Sequence, residues 1–231
     1  MKKQIVLLII IIGIISCKTN NNDLKESGLN GSVKKIIDSN YDGIQKFGEW
    51  EKVNNLKDKM VREFDKQGNL IKIEFSNEYG CLTRWIYDNM GDTSVVKCYS
   101  YNPSGNLYDE VNQPYVTKKI REFKENKTFE KEFDSKGNLL SILELIKEFG
   151  RIIKETRYNE TGEKRYEQYY SYFDDGKMKE ATLIFFTNET ADTTTTKFDI
   201  LKVDDFNNII KRLTIENKKE YVITERTIEY Y

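Results

Sequence analysis

A short motif repeats along this chain of 231 residues: an aromatic residue, Asp or Asn, two variable residues, and Gly. Two copies lie in EFDKQGNLIKIEF at 63–75 and EFDSKGNLLSILEL at 132–145. Asp or Asn suits the first turn position, where its side chain accepts hydrogen bonds from the following backbone. Gly suits the position that needs a left-handed backbone. The motif therefore predicts tight turns between strands, with turn residues Gly68, Gly91, Gly105, Gly137, Gly162, Gly176 and, in place of Gly in one copy, Asn207.

The spacing of these turns predicts the fold. Glycines fall at positions 68, 80, 91 and 105, and again at 137, 150, 162 and 176. Each interval of 11 to 14 residues fits one strand and one turn. Between turns, Ile71, Ile73 and Phe75 alternate with Lys72 and Glu74, as expected for a strand. We predict an all-β chain: an elongated, twisted antiparallel meander that forms an open solenoid of repeated hairpins.

The stretch LLSILELIKEFGRIIK at 139–154 offers a helical alternative, because it combines good helix formers with apolar spacing. Gly150 falls in phase with the other turns and β-branched residues follow it, so we favour strand, turn and strand. Composition agrees with a thin core. Charged residues make up 32% of the chain and the mean hydropathy is -0.68, which favours a flat or elongated body.

The first residues have the parts of a bacterial lipoprotein signal. Lys2 and Lys3 precede an aliphatic run over 5–15, and Ser16 stands directly before Cys17. The run is shorter than the roughly 20 residues that a bilayer-spanning helix needs, so we expect cleavage before Cys17. The chain then divides into a signal peptide (1–16), a lipidated N-terminus with a flexible tether (17–32) and one repeat domain (33–231).

Several segments resemble known proteins. The N-terminal signal resembles those of bacterial lipoproteins, in which the Cys takes a diacylglyceryl thioether and an N-acyl chain such as palmitate. The aromatic-Asp-x-x-Gly-Asn-Leu pattern, with GRIIKETRY at 150–158, resembles YD or Rhs-type repeats, and GKMKEATLIFF at 176–186 resembles MORN-like repeats. With GLNGSVKKI at 28–36 and FGEWEK at 47–52, the chain resembles small bacterial lipoproteins that carry such repeats. This resemblance implies stacked hairpins and a lipid anchor at Cys17 in the cell envelope, at the outer membrane.

Residues that could support catalysis are few. The chain contains no histidine, the commonest catalytic base and metal ligand. Asp174-Asp175 and Asp204-Asp205 are conspicuous carboxylate pairs, but both fall in predicted turns, where Asp caps the backbone. Asp204, Asp205 and Asn207 lack the spacing of a calcium-binding loop. We predict no enzyme activity, no cofactor and no metal site; a glycosidase built on a carboxylate pair is the alternative.

Aromatic residues make up 13% of the chain. They could form a surface that stacks against sugars or docks a protein, or they could serve only to stabilise strands. The candidates for a binding surface are Trp50, Trp85, Tyr87, Tyr99, Tyr101, Tyr169, Tyr170 and Tyr172.

Cys81 and Cys98 could form a disulfide in an exported protein. A two-residue loop at Asn89-Met90 would place them opposite each other, whereas a three-residue loop that includes Gly91 would place them on opposite faces. Turn chemistry favours the longer loop. The sequence alone does not decide whether the disulfide forms.

The formal net charge of -1 supplies no positive field for nucleic acid. We therefore expect a non-enzymatic, lipid-anchored protein of the cell envelope that binds a protein or a glycan. The alternatives are an immunity or antitoxin-like lipoprotein that neutralises an effector, and a glycosidase-type enzyme.

Overall fold

The computed structural model describes residues 22–78, 80–101, 114–187, 190–217 and 219–231. Within them lie one short helix and fourteen strands. The elements are α1 (Asp23–Glu26), β1 (Val33–Lys46), β2 (Glu49–Phe64), β3 (Leu70–Asn77), β4 (Gly80–Met90), β5 (Thr93–Ser100), β6 (Tyr115–Lys124), β7 (Lys127–Phe133), β8 (Leu139–Glu148), β9 (Arg151–Asn159), β10 (Lys164–Tyr172), β11 (Met178–Phe186), β12 (Ala191–Val203), β13 (Ile209–Glu216) and β14 (Glu220–Tyr230).

The sheet is a closed barrel. Every strand pairs antiparallel with the next one along the chain, and β1 also pairs with β14, which places Ile36 opposite Ile228. The all-β, antiparallel prediction is confirmed, but the prediction of an elongated, open solenoid is wrong. Closure pairs the free edges that an open array would leave at its two ends. It also accounts for the thin core, since a barrel of fourteen strands is too wide for side chains to fill completely.

Side chains along each strand alternate between two walls of the barrel. The wall that includes Asp38 contains most of the buried positions along the strands, and we call it the inner wall. The outer wall includes Lys35 and carries mostly charged and polar residues. Inner-wall residues include Ile36, Asp38, Arg62, Trp85, Tyr87, Val96, Thr117, Lys119, Arg121, Thr128, Glu130, Leu145, Glu155, Tyr166, Tyr170, Ala181, Arg212 and Arg226.

Residues 22–32 close one end of the barrel. Asn22 caps α1 by accepting a hydrogen bond from the Lys25 backbone amide at 3.0 Å, and the Leu24 amide donates to the Gly68 carbonyl at 3.1 Å. The prediction of a flexible tether over 17–32 is therefore wrong from residue 22 onwards, because apolar side chains of this segment are buried against the first strands. The resulting end cluster consists of Leu24, Leu29, Val33, Ile36 and Phe64, with Leu70, Ile228 and Tyr230 packed against it.

The repeated motif forms turns of one design in four of its copies, those that begin at Asp65, Asp134, Asn159 and Asp204. In the turn after β2, the Asp65 carboxylate accepts hydrogen bonds from the backbone amides of Gln67 and Asn69, both at 2.9 Å, and Gly68 has a φ of +85°. The same bonds recur around Asp134 after β7. Gly91, Gly137, Gly162, Gly176 and Asn207 also lie between strands with positive φ, and Gly105 lies outside the described residues. Residues 139–154 form β8, a turn and the start of β9.

The long hairpin of β1 and β2 extends past the barrel and folds over the outer wall of β14. Its ladder shifts register between Asn40 and Gly43. Beyond that point, the Trp50 ring stacks on Tyr221 with ring centroids 4.6 Å apart, and Gly43 lies against Ile223. This explains why Ile223 is fully buried although it belongs to the outer wall.

Candidate functional site

A polar cavity lies on the inner wall beside α1. Its volume is about 170 Å³. Strands β4 to β7 supply most of its side chains, because their alternate residues share the inner wall. The lining consists of Tyr87, Asn89, Ser94, Lys119, Arg121 and Glu130, with Asp23 of α1 and Leu70 at its edge. We call this the capped-end cavity.

Ion pairs and hydrogen bonds hold the cavity lining in place. Glu130 accepts from Lys119 at 2.8 Å and from Arg121 Nε at 3.1 Å. Arg121 Nη1 also donates to Asp23 Oδ1 at 2.9 Å, which ties α1 to the inner wall. Ser94 donates to Asn89 Oδ1 at 2.7 Å. The cavity is thus bordered by preorganised donors and acceptors.

The electrostatics of the cavity fix its protonation. Burial by itself raises the pKa of the Glu130 carboxyl, but the charges and hydrogen bonds of Lys119 and Arg121 outweigh burial and lower the pKa below its usual 4.5. Burial, together with the charges of Glu130 and Asp23, raises the pKa of Tyr87 to about 12. At neutral pH the cavity therefore contains an ionised carboxylate and a protonated phenol.

A second polar group lies on the inner wall of β1, β2, β13 and β14. Both oxygens of Asp38 accept hydrogen bonds from Arg226, at 2.6 and 3.1 Å, and Arg62 donates to Oδ2 at 2.8 Å. Arg212, on β13, also belongs to this group. We call these four residues the arginine cluster.

A third group combines tyrosines with a carboxylate. Glu155 accepts hydrogen bonds from the Tyr170 hydroxyl at 3.0 Å and from the Tyr166 hydroxyl. Burial and the charge of Glu155 raise the pKa of both phenols. Next to them, the Tyr172 hydroxyl donates to the Ile152 carbonyl at 2.5 Å. These tyrosine hydroxyls are therefore occupied by structural hydrogen bonds.

The aromatic residues proposed from the sequence do not form one surface, because neighbouring positions along a strand face opposite walls. Trp85, Tyr87, Tyr170 and Tyr172 belong to the inner wall, whereas Tyr99, Tyr101 and Tyr169 belong to the outer wall. Trp50, at the start of β2 in the long hairpin, is stacked on Tyr221 of β14. Only Tyr87 lines the capped-end cavity.

The two cysteines within the described residues are both free. Cys98 lies opposite Trp85, and Cys81 lies opposite Ser76 on a different strand. The disulfide left open by the sequence is therefore absent. The physical reason is register: the turn between β4 and β5 is Gly91-Asp92, so neither loop considered from the sequence describes this hairpin. Cys17 lies outside the described residues.

Sequence reasoning missed the charged residues of the inner wall. No sequence motif pointed to Lys119, Arg121 or Glu130. A signal was present, since Arg226 lies two residues before apolar Ile228, and period-two alternation places both on one wall. Charges in phase with the apolar side of a strand can thus mark a polar interior.

Within the part of the chain that the structure describes, no group of three or more His, Cys, Asp or Glu side chains could hold a metal ion. No helix among the described residues is both long and apolar enough to cross a bilayer.

No protein-family model matches the chain, and no curated protein is significantly similar to it. The resemblance to YD or Rhs-type repeat lipoproteins is wrong, because the strands form a closed barrel and not an open repeat solenoid. Among solved structures, the chain is similar to a porin-like protein from Bacteroides uniformis, with 9% identity over 87% of this chain and 98% of the other and a TM-score of 0.47. A porin-like protein from Bacteroides vulgatus has 12% identity, coverages of 86% and 98%, and a TM-score of 0.42. Both TM-scores are below 0.5, so the fold assignment rests on the strand pairing of this chain itself.

Proposed function

We propose that this protein is a non-enzymatic binding protein of the cell envelope, tethered by acyl chains on Cys17, whose capped-end cavity binds one sugar unit of a glycan. The observation that carries the proposal is the lining of that cavity. It combines one aromatic ring, Tyr87, with charged and neutral hydrogen-bonding groups. Binding sites commonly join a concave shape to a few convergent polar groups.

The cavity chemistry suits a polyhydroxylated ligand. Asn89, Ser94 and Glu130 offer hydrogen-bond acceptors, and Lys119 and Arg121 offer donors. A sugar ring presents hydroxyl groups that donate and accept, and its C–H face packs against an aromatic ring. The volume of about 170 Å³ limits the ligand to about the size of one such ring.

The ionised state of Glu130 supports binding rather than hydrolysis. A glycosidase needs one carboxylic acid with a raised pKa, which protonates the leaving group. The pKa of Glu130 is instead lowered by Lys119 and Arg121. Arg121 also bonds the other carboxylate of the cavity, Asp23, so both groups serve in ion pairs.

The outer wall supports a tethered protein rather than one inserted in lipid. A ladder of ion pairs runs across β1 to β4, with nitrogen–oxygen distances of 3.0 to 3.8 Å. Each Arg or Lys on a lipid-facing wall would cost about 2–4 kcal/mol near the bilayer midplane, whereas water solvates these charges. The residues of this ladder are Lys35, Glu63, Lys72, Glu74 and Arg84.

Substitution of Tyr87 by alanine should weaken saccharide binding at least about tenfold, because a lost stacking contact of about 1.4 kcal/mol corresponds to that factor. The measurement is isothermal titration of the purified protein with neutral hexoses, N-acetylhexosamines and uronic acids. Tyr99→Ala is the matched control, since Tyr99 lies on the outer wall, and it should leave the affinity unchanged.

Equal weakening by both tyrosine variants, or no binding of any of these sugars at millimolar concentration, would refute the cavity as a glycan site. Tight binding of an effector protein without any saccharide would favour the immunity function instead.

Replacing Cys17 by alanine should abolish incorporation of labelled fatty acid and release the protein from the membrane fraction, because acyl chains supply the proposed attachment. Metabolic labelling and cell fractionation measure both effects. Cys81→Ala is the control and should keep the label. Labelled Cys17→Ala protein would contradict the proposed anchor.

A further inference from the structure

The arginine cluster contains more positive than negative charge. Arg62, Arg212 and Arg226 surround a single carboxylate, that of Asp38. Asp38 already bonds Arg226 through both oxygens and Arg62 through one. The Asp38 carboxylate therefore accepts hydrogen bonds from two of the three guanidinium groups, and the third has no carboxylate partner of its own.

Arg212 is the residue left over. Within the described part of the chain, its side chain forms no ion pair, and its recorded contact is with the Phe198 ring, 5.1 Å from the guanidinium carbon to the ring centre. The Nε atoms of Arg212 and Arg62 are both buried and have no hydrogen-bond partner. Donors buried without partners are rare in folded proteins and indicate that something else satisfies them.

The charge state of Arg212 adds to this imbalance. Burial and the neighbouring charges of Arg226 and Arg62 lower the pKa of its guanidinium to about 10, against a smaller opposing effect of Asp38. The group still carries its positive charge at neutral pH. Arg212 is half-buried, its Nε is fully buried, and it has no carboxylate of its own, so the cluster carries an excess of positive charge that is costly to hold there.

The neighbours of Arg212 supply no hydrogen-bond acceptor for its guanidinium group within the described residues. Thr224, opposite Arg212 across the β13–β14 ladder, donates to Asn40 Oδ1 at 2.7 Å. Asn40 in turn donates to Asp58 at 2.6 Å. Thr224, Asn40 and Asp58 are thus engaged with one another. The cluster is nevertheless reachable, because the side chains of Arg62 and Arg226 remain 20% and 13% exposed.

We propose that the arginine cluster is an anion-binding site for an oxyanion of the phosphate class, held by Arg212 together with Arg62 and Arg226. A planar guanidinium group matches the oxygen spacing of a phosphate and can bind it through two parallel hydrogen bonds. One bound oxyanion would supply the missing negative charge. This site is separate from the capped-end cavity and does not depend on the proposed function.

The test is titration of the mature full-length protein with inorganic phosphate by calorimetry and by thermal unfolding, with sodium chloride at equal ionic strength as reference. Phosphate should bind saturably and raise the melting temperature above its value in chloride. Arg212→Gln should weaken phosphate binding at least tenfold. Arg165→Gln, at an exposed position at the start of β10, is the matched control and should bind phosphate normally.

The stability of Arg212→Gln without phosphate distinguishes binding from a structural role. If Arg212 is present for binding, the variant should be as stable as the unsubstituted protein or more stable, whereas a structural role predicts a loss of stability. A variant that fails to fold, or one that keeps its phosphate affinity, would overturn the proposal. Equal thermal stabilisation by phosphate and chloride would overturn it as well, because general screening would then account for the effect.

Discussion

Replacing Asp38 by asparagine should lower the free energy of unfolding by about 3–5 kcal/mol, the cost typical of removing one partner from a buried ion pair. The substitution removes the carboxylate that bonds Arg226 and Arg62 and leaves three positive side chains together on the inner wall. Chemical denaturation followed by circular dichroism measures the change. Asp42→Asn, on the same strand but with a side chain 62% exposed, should have no measurable effect.

The same carboxylate predicts how stability depends on pH. Burial raises the pKa of Asp38, but the hydrogen bond from Arg226 and the charges of the arginines outweigh burial and lower the pKa below its usual 3.8. The folded protein thus releases this proton more readily than the unfolded chain. The contribution of Asp38 to stability is therefore complete above the unfolded pKa and is lost as the pH falls through the folded value. Asp38→Asn should make the free energy of unfolding less dependent on pH in the acid range. An unchanged pH dependence would contradict the lowered pKa of Asp38.

Substitution of Phe64 by alanine should cost about 3–5 kcal/mol, the range for truncating a buried phenylalanine. Phe64 is 1% exposed and lies in the end cluster against Leu24 and Ile36. The cavity left behind would loosen α1 from the barrel end, so amide hydrogen exchange in residues 22–32 should accelerate along with the loss of global stability.

Phe149→Ala is the matched control, because Phe149 is fully exposed in the turn between β8 and β9. It should change the free energy of unfolding by less than about 0.5 kcal/mol, as surface substitutions usually do. Unchanged exchange in residues 22–32 of Phe64→Ala would show that the end cluster does not hold α1.

The strands and turns were predictable because their signal is local. The Asp65 carboxylate bonds amides two and four residues ahead, and a short window of sequence contains every atom of that turn. Closure was not predictable by the same reasoning. The pairing of β1 with β14 joins residues nearly 200 positions apart, as in the hydrogen bond from Lys34 to Glu229, and no local pattern encodes it.

The candidate site was only partly predictable for a related reason. Tyr87 was identified from its residue type, but the sequence grouped it with Tyr99, which faces the opposite wall. Lys119 and Glu130 lie on adjacent strands and meet only through the register of β6 and β7. A shift of one residue in register exchanges inside and outside for a whole strand. The β4–β5 turn was misplaced from the sequence, so the residues that face each other across this hairpin were wrong as well.

The pairing of the first strand with the last has a consequence for biosynthesis. Until residues 220–230 leave the ribosome, one side of β1 has no partner, and β13 also lacks its second neighbour. Contacts so distant in sequence form slowly compared with hairpins. The barrel therefore cannot close until β14 has been synthesised, and the preceding strands remain an unclosed sheet during translation.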